Sequence, residues 1–263
     1  MNLVVSENGT HTLILLNPFS GDQQKLPADF PDSEMFSHDF SIAFAWTRTS
    51  SPVYDPTLTR VVYPSGIQDS TTLVKQPIVI LWDTRANQKV AQLVTMDYWG
   101  HTPIWTPDGK QFIIATNLDP KKAQVFAEEF YAVSRDGQVR QLTHFMDYYQ
   151  EIKILDSYSL SPDGKLLAFW IVSQPNLYEG PRLAVLNIET GEVTNYCIKG
   201  DAFSDNEAEP WLPIWSPDST QLLVISRPPE DTKVRRVVVV DILHNYAAKI
   251  NADMEPEGWM VAP

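Results

Sequence analysis

Three stretches decide the fold: Pro103-Ile104-Trp105-Thr106-Pro107-Asp108-Gly109, Tyr158-Ser159-Leu160-Ser161-Pro162-Asp163-Gly164 and Pro213-Ile214-Trp215-Ser216-Pro217-Asp218-Ser219. An apolar run follows each: Phe112-Ile113-Ile114, Leu166-Leu167-Ala168-Phe169 and Leu222-Leu223-Val224-Ile225. The prolines stand at 107, 162 and 217, a step of 55 residues both times. That period lies just above the roughly 40–50 residues of a propeller blade and far above helical solenoid repeats.

Each unit has the chemistry of a β-meander. Proline presets φ for a tight turn, Asp and Gly tolerate left-handed geometry, and a Val/Ile/Leu-rich strand follows, which makes a hairpin. A third strand ends in a polar turn, at Ser134-Arg135-Asp136-Gly137, Asn187-Ile188-Glu189-Thr190-Gly191 and Asp241-Ile242-Leu243-His244-Asn245. A fourth short strand, over 139–143, 193–198 or 247–250, completes the unit.

Two further copies emerge from this pattern. Ala43 to Thr47 reads as a first strand, with Arg60 to Tyr63, Ile78 to Thr84 and Val90 to Val94 as the second to fourth. The chain ends supply the last copy in two pieces. Leu3-Val4-Val5, Thr12 to Asn17 and Gln23 to Leu26 read as strands two to four, and Gly258-Trp259-Met260-Val261 as the first. The expectation is an all-β, five-bladed β-propeller of four-stranded antiparallel blades over 258–263 plus 1–26, 42–94, 103–143, 158–198 and 213–251. Its last blade is closed by the C-terminal strand pairing with N-terminal strands, which removes an open sheet edge. Trp46, Trp105, Trp215 and Trp259, with Leu160 in the remaining copy, supply one large apolar side chain per blade for packing between blades.

Composition fits one large domain: 263 residues, 43% hydrophobic and 20% charged. The single cysteine, Cys197, lies in a strand-like run and reads as a buried thiol. No apolar run approaches the ~20 residues of a membrane-spanning helix, and the N-terminus lacks a basic region followed by an apolar stretch. The expectation is a soluble chain without direct membrane insertion.

Ligand-binding chemistry is sought in the connections from the fourth strand of one blade to the first of the next, which share one face of a propeller. Over 27–41, 95–102, 144–157, 199–211 and 251–258 they carry 15 acids against 2 bases, Lys153 and Lys199. The net charge of the whole chain, −13, is thereby concentrated on one face. Such a field repels nucleic acid and attracts a basic peptide or protein surface. Candidate residues of this face are Asp39, Asp97, Tyr98, Trp99, His101, Asp147, Tyr148, Tyr149, Glu151, Glu207, Glu209 and Glu257. Carboxylates interleaved with aromatic rings suit cationic peptides through ion pairing and cation–π contact, and sugars through stacking.

Metal and catalytic readings use the same face. His38, His101 and His144 fall in three of these connections and, with Asp39, contain transition-metal ligand types, although no local ligand motif joins them. No cofactor is required on this reading, and a calcium ion at the channel mouth, held by carboxylates, is an option. The alternative function is a carbohydrate-active, glycosidase-like enzyme, for which Asp39, Asp97, Glu151, Glu207 and Glu257 offer a carboxylate pair.

The Leu160 to Phe169 stretch, and its copies at 105 and 215, resemble the WD40-like propeller repeat of TolB-type periplasmic proteins and of the propellers that precede prolyl-oligopeptidase catalytic domains. The resemblance implies a repeat scaffold and a periplasmic or extracellular address, with the cytoplasm as the alternative. No Gly-x-Ser-x-Gly elbow occurs, which argues against a serine peptidase.

Overall fold

In a computed structural model of the chain, residues 2–7, 10–16, 23–25, 53–68, 75–86, 88–96, 101–122, 126–155, 157–173, 180–200, 212–226, 236–252 and 258–259 are described. All regular structure among them is β-strand apart from two short 3-10 turns. The N-terminal sheet is β1 (Asn2–Glu7), β2 (Thr10–Leu16) and β3 (Gln23–Lys25), antiparallel and in that order. Next come β4 (Val53–Tyr54), β5 (Arg60–Gln68), β6 (Lys75–Asp83) and β7 (Gln88–Val94). The following sheet holds β8 (Ile104–Trp105), β9 (Gln111–Thr116), β10 (Glu129–Ser134) and β11 (Val139–Gln141). Its successor has β12 (Ile152–Ile154), β13 (Ser159–Leu160), β14 (Leu166–Ser173), β15 (Arg182–Asn187) and β16 (Val193–Lys199). The last has β17 (Ile214–Trp215), β18 (Gln221–Ser226), β19 (Arg236–Asp241) and β20 (Tyr246–Ala252). Strands are antiparallel within every sheet and ordered as in the chain, the signature of a meander, except that β12 and β13 both pair with β14.

The four sheets from β4 to β20 stack face to face in chain order, and strand alternation shows how. In the sheet of β8–β11, Phe112, Ile114, Tyr131 and Val133 pack back onto Val62, Leu81 and Leu93 of the preceding sheet. Their alternating neighbours Ile113, Phe130 and Ala132 pack forward onto Leu167, Phe169 and Leu186. The next layer, Trp170, Leu183 and Val185 against Trp215, Leu222 and Val240, repeats the arrangement. Central strands are therefore buried on both faces, which explains their unbroken apolar runs.

The repeated turn is built alike in each sheet. Gly109, Gly164 and Ser219 donate their amides to the carbonyls of Thr106, Ser161 and Ser216 at 2.8, 2.8 and 2.9 Å. Each takes positive φ (64°, 74° and 63°), which is why glycine holds two of the three places. Thr106, Ser161 and Ser216 hydroxyls donate to Asp108, Asp163 and Asp218. A Cβ on Gly164 would stand 2.8 Å from Cδ of Pro107, so turns of successive sheets stack upon one another.

The sheet of β4–β7 begins differently from the sequence expectation. Val53–Tyr54 pairs with Val61 and Val62 and occupies the edge place that sequence reading gave to Ala43–Thr47, which lies outside the described residues. Its turn is Asp55-Pro56-Thr57-Leu58, with Leu58 at φ 57° in the glycine position and its amide donating to the Asp55 carbonyl at 2.9 Å. The polar pair is reversed here: the carboxylate stands before the proline, and the Thr57 hydroxyl after it donates to Asp55. Tyr54, not Trp46, thus aligns with Trp105 and Trp215.

Indole N–H groups tie the first strands to neighbouring segments. Trp105 Nε1 donates to the Val53 carbonyl at 3.0 Å, Trp215 Nε1 to Ser159 at 3.0 Å and Trp259 Nε1 to Ile214 at 3.2 Å. Leu160 has no such donor, and the Tyr158 hydroxyl donates to the Thr102 carbonyl instead.

Outer strands carry bulges, which disfavour pairing with a foreign edge. Val90 is the extra residue in β7 and Ile250 in β20. In β16 the irregularity falls between Asn195 and Lys199 and puts Cys197 at φ 56°, exposed, which corrects the expectation of a buried thiol. Just beyond β16, a Cβ on Gly200 would meet the Trp170 ring at 2.9 Å and Pro181 at 3.1 Å. Gly200→Ala is therefore expected to destabilise the fold by about 1–2 kcal/mol, measured by chemical denaturation, because Trp170 is fully buried and has no room to yield.

Candidate functional site at the connection end

In an antiparallel meander the links from strand two to three leave from the same end as the links between sheets. The parallel bridge of Ala127, in the β9–β10 link, to Ile152, in the link towards β13, demonstrates it. The links over 69–74, 117–128, 174–181 and 227–235 hold six acids and five bases in the sequence.

The described part of this end centres on β12, a strand inside the 144–157 connection. Ile152 and Ile154 alternate inward while Lys153 between them is half-buried. The strand pairs with the far end of β14, opposite Ile171 to Ser173, and so continues the line of β13. On its other side, the Ile152 amide donates to the Phe126 carbonyl at 2.7 Å, and the Glu128 amide to Ile152 at 3.3 Å. β12 is thus a hydrogen-bonded seam between two sheets.

Two consecutive buried carboxylates secure the seam. Glu128, 1% exposed, accepts the Ile154 amide on Oε2 and faces His101 Nε2 across 3.3 Å through Oε1. Glu129 accepts the Thr143 hydroxyl at 2.6 Å and the Met146 amide at 3.0 Å, fixing the start of the following connection. Buried carboxylates hold this arrangement because each is met by amides, a hydroxyl or an imidazole. Neither was among the residues singled out from sequence. The signal was their place immediately before the apolar run Phe130-Tyr131-Ala132-Val133.

The nominated residues are distributed unevenly. His101 is 7% exposed and lies against Glu128 and the ring of Tyr158, inside the structure. Asp147 and Tyr148 project from the turn Phe145–Asp147, with Tyr148 84% exposed. Tyr149 is half-buried against the apolar core, and Glu151 is half-buried just before β12. His144 is exposed at the start of the same turn, apart from the buried His101. Asp39, Asp97, Tyr98, Trp99, Glu207, Glu209, Glu257 and His38 lie outside the described residues. Among the described residues no three or more His, Cys, Asp or Glu side chains converge as metal ligands. The ring of Phe126, 45% exposed, carries the Lys153 ammonium 5.9 Å from its centroid.

At the opposite end, a cavity of about 350 Å3 lies between the turns holding Thr106 to Gln111 and Asp163-Gly164. Asp108 there is held at a pKa of about 2 by the Thr106 hydroxyl, then by the amide and ammonium of Lys110. Among the described residues no helix is long and apolar enough to cross a membrane.

Known structures define the class. The chain is similar to a prolyl endopeptidase at 15% identity and a TM-score of 0.56, over 92% of its own length and 33% of that chain. It is similar to an oligogalacturonate lyase in complex with manganese at 12% and 0.54, over 94% of its length and 61% of that chain. It is also similar to the β-propeller domain of the Trilobed protease from Pyrococcus furiosus at 12% and 0.50, over 77% of its length and 56% of that domain. The chain therefore spans a third of the peptidase and less than two thirds of the lyase. No family profile matches it, and no curated protein matches it in sequence. Stacked antiparallel meanders and these likenesses together define a β-propeller-type scaffold.

One expectation is overturned. The reading that no cofactor is required, with calcium as an option at the mouth, does not stand, because a neighbour of the same shape holds manganese. Independence from metals does not follow from this architecture.

Proposed function

We propose that the chain is a binding propeller of the TolB-like type whose connection end holds a basic peptide or the basic surface of a protein. The observation that carries this reading is the segregation of charge. Links between sheets hold 15 acids against 2 bases, and the links now added to that end are nearly balanced. A one-signed field at a mouth raises the local concentration of cationic ligands and disfavours nucleic acid. On this reading five blades form the ring, the fifth made from β1–β3 and the C-terminal strand. The Trp259 indole bonded to Ile214 supports that join, since it repeats the tie between other neighbouring first strands.

Carrying over the activity of a neighbour is less well supported. An oligogalacturonate is a polyanion, and an acid-rich mouth opposes it. A glycosidase-like reading needs one carboxylate pair about 5–9.5 Å apart. Buried Glu128 and Glu129 are already engaged by protein groups.

The test is titration of the chain with an oligolysine peptide in low and in physiological salt. Binding that weakens steeply with salt is expected, with Asp147→Asn and Glu151→Gln each lowering affinity roughly two- to three-fold, as for exposed charge pairs. Salt-independent binding, or total loss from one of these changes, would refute the diffuse-field reading.

A further inference from the structure

We infer that the Phe126 ring is a cation seat of this end and that Lys153 is its resident occupant, an internal stand-in for a lysine or arginine of the partner. The inference rests on the basic-partner reading above and names where one of the partner's cations would sit.

Phe126 is a large apolar side chain left 45% exposed at the edge of the seam. Its backbone is not free to follow a ligand, because its carbonyl accepts the Ile152 amide at 2.7 Å. The ring is thus presented from a fixed point, which limits the ordering cost of binding. An ammonium already stands 5.9 Å from its centroid, within the ~6 Å reach over which a ring face attracts a cation. That ammonium belongs to Lys153, one of two bases in the links between sheets. The side chain emerges from β12, whose neighbours Ile152 and Ile154 are fully buried, so its root is fixed as well. A partner's lysine or arginine competes for the same face of the ring, and the local positive charge of Lys153 opposes its approach. Both effects make Lys153 a brake on binding.

Oligolysine titration of four variants in low salt separates this inference from general charge effects. Lys153→Met keeps the aliphatic stem and removes the cation; it is expected to tighten binding roughly two- to five-fold, the size of an exposed cation–π contact. Lys122→Met removes a base from the same end and should give a smaller gain. Phe126→Leu alone leaves the Phe126 carbonyl in place and keeps an apolar side chain. In Lys153→Met/Phe126→Leu the gain should fall to that of Lys122→Met, the signature of coupled residues.

An equal gain in Lys153→Met and Lys122→Met, or a gain that survives Phe126→Leu, overturns the seat while leaving the basic-partner reading intact. Failure of both the wild-type chain and Lys153→Met to bind overturns both.

Discussion

Asp55→Ala is expected to destabilise the fold by about 3 kcal/mol, read as a fall in the denaturation midpoint, because it strands a charge in the contact between two sheets. The Asp55 side chain is fully buried and accepts the amides of Thr57, Thr59 and Arg60 at 3.0, 2.7 and 2.6 Å. Its second oxygen meets Arg135 Nη1 at 2.6 Å, an ion pair that spans from the β4–β5 turn to the β10–β11 turn of the next sheet. Arg135 is held further by Thr59 and by the Gly109 carbonyl at 2.9 Å. Asp55→Ala leaves three amides without their acceptor and Arg135 without its counter-ion. Arg135 is 30% exposed and water recovers part of the loss, which sets the estimate at the low end of the ~3–5 kcal/mol for a broken buried pair.

Acid should reproduce part of this effect. Burial pushes the Asp55 pKa up, but the hydrogen bonds of Thr57, Arg135 and Arg60 outweigh it, and the net shift is below the ordinary 3.8. A carboxylate with a lowered folded pKa contributes stability fully above the unfolded value and loses it as pH falls through the folded one. The wild-type chain should therefore lose stability below about pH 4 more steeply than Asp55→Asn, which has no proton to take up at that site. Parallel curves for the two would show that the pair carries no such linkage.

Asp55 also marks the limit of what the sequence made legible. Where the turn keeps hydroxyl, proline, aspartate and glycine in order, at 106–109 and 161–164, strands and turns fall where the repeat predicts them. In Asp55-Pro56-Thr57-Leu58 the hydroxyl and carboxylate have changed places and leucine stands at positive φ, so the motif is disguised although its geometry is retained. Only the proline and the following Val61-Val62-Tyr63 kept the signal. Ties between sheets were illegible for another reason: Trp105 to Val53 and Asp55 to Arg135 join residues 52 and 80 apart, and no local pattern encodes them. The exposed Cys197 follows from a bulge, which changes which face a residue occupies without changing composition. At the connection end, the acids of the links between sheets fall mostly outside the described residues. The seam of β12 was missed because the repeat offset had already assigned the first strand to Ser159–Leu160.

Glu128→Ala should open that seam, with an expected loss of about 2–3 kcal/mol and, more diagnostically, faster amide hydrogen exchange at Ile152 and Ile154 than in the wild-type chain. The carboxylate is buried, accepts the Ile154 amide and lies 3.3 Å from His101 Nε2, so its removal strips an acceptor from a buried backbone N–H and a polar neighbour from a buried imidazole. Glu128→Gln keeps an oxygen able to accept the Ile154 amide and exchanges only the charge. Its exchange rates at β12 should stay close to wild type, and its stability loss should be the smaller of the two. Local opening is the expected mode because β12 is three residues long and, among the described residues, pairs only with the end of β14 and with residues 126–128, whereas β14 itself is flanked on both faces by apolar layers. If Glu128→Ala leaves exchange at Ile152 and Ile154 unchanged, the seam is held by its backbone pairing alone, and the buried carboxylate answers to His101 instead.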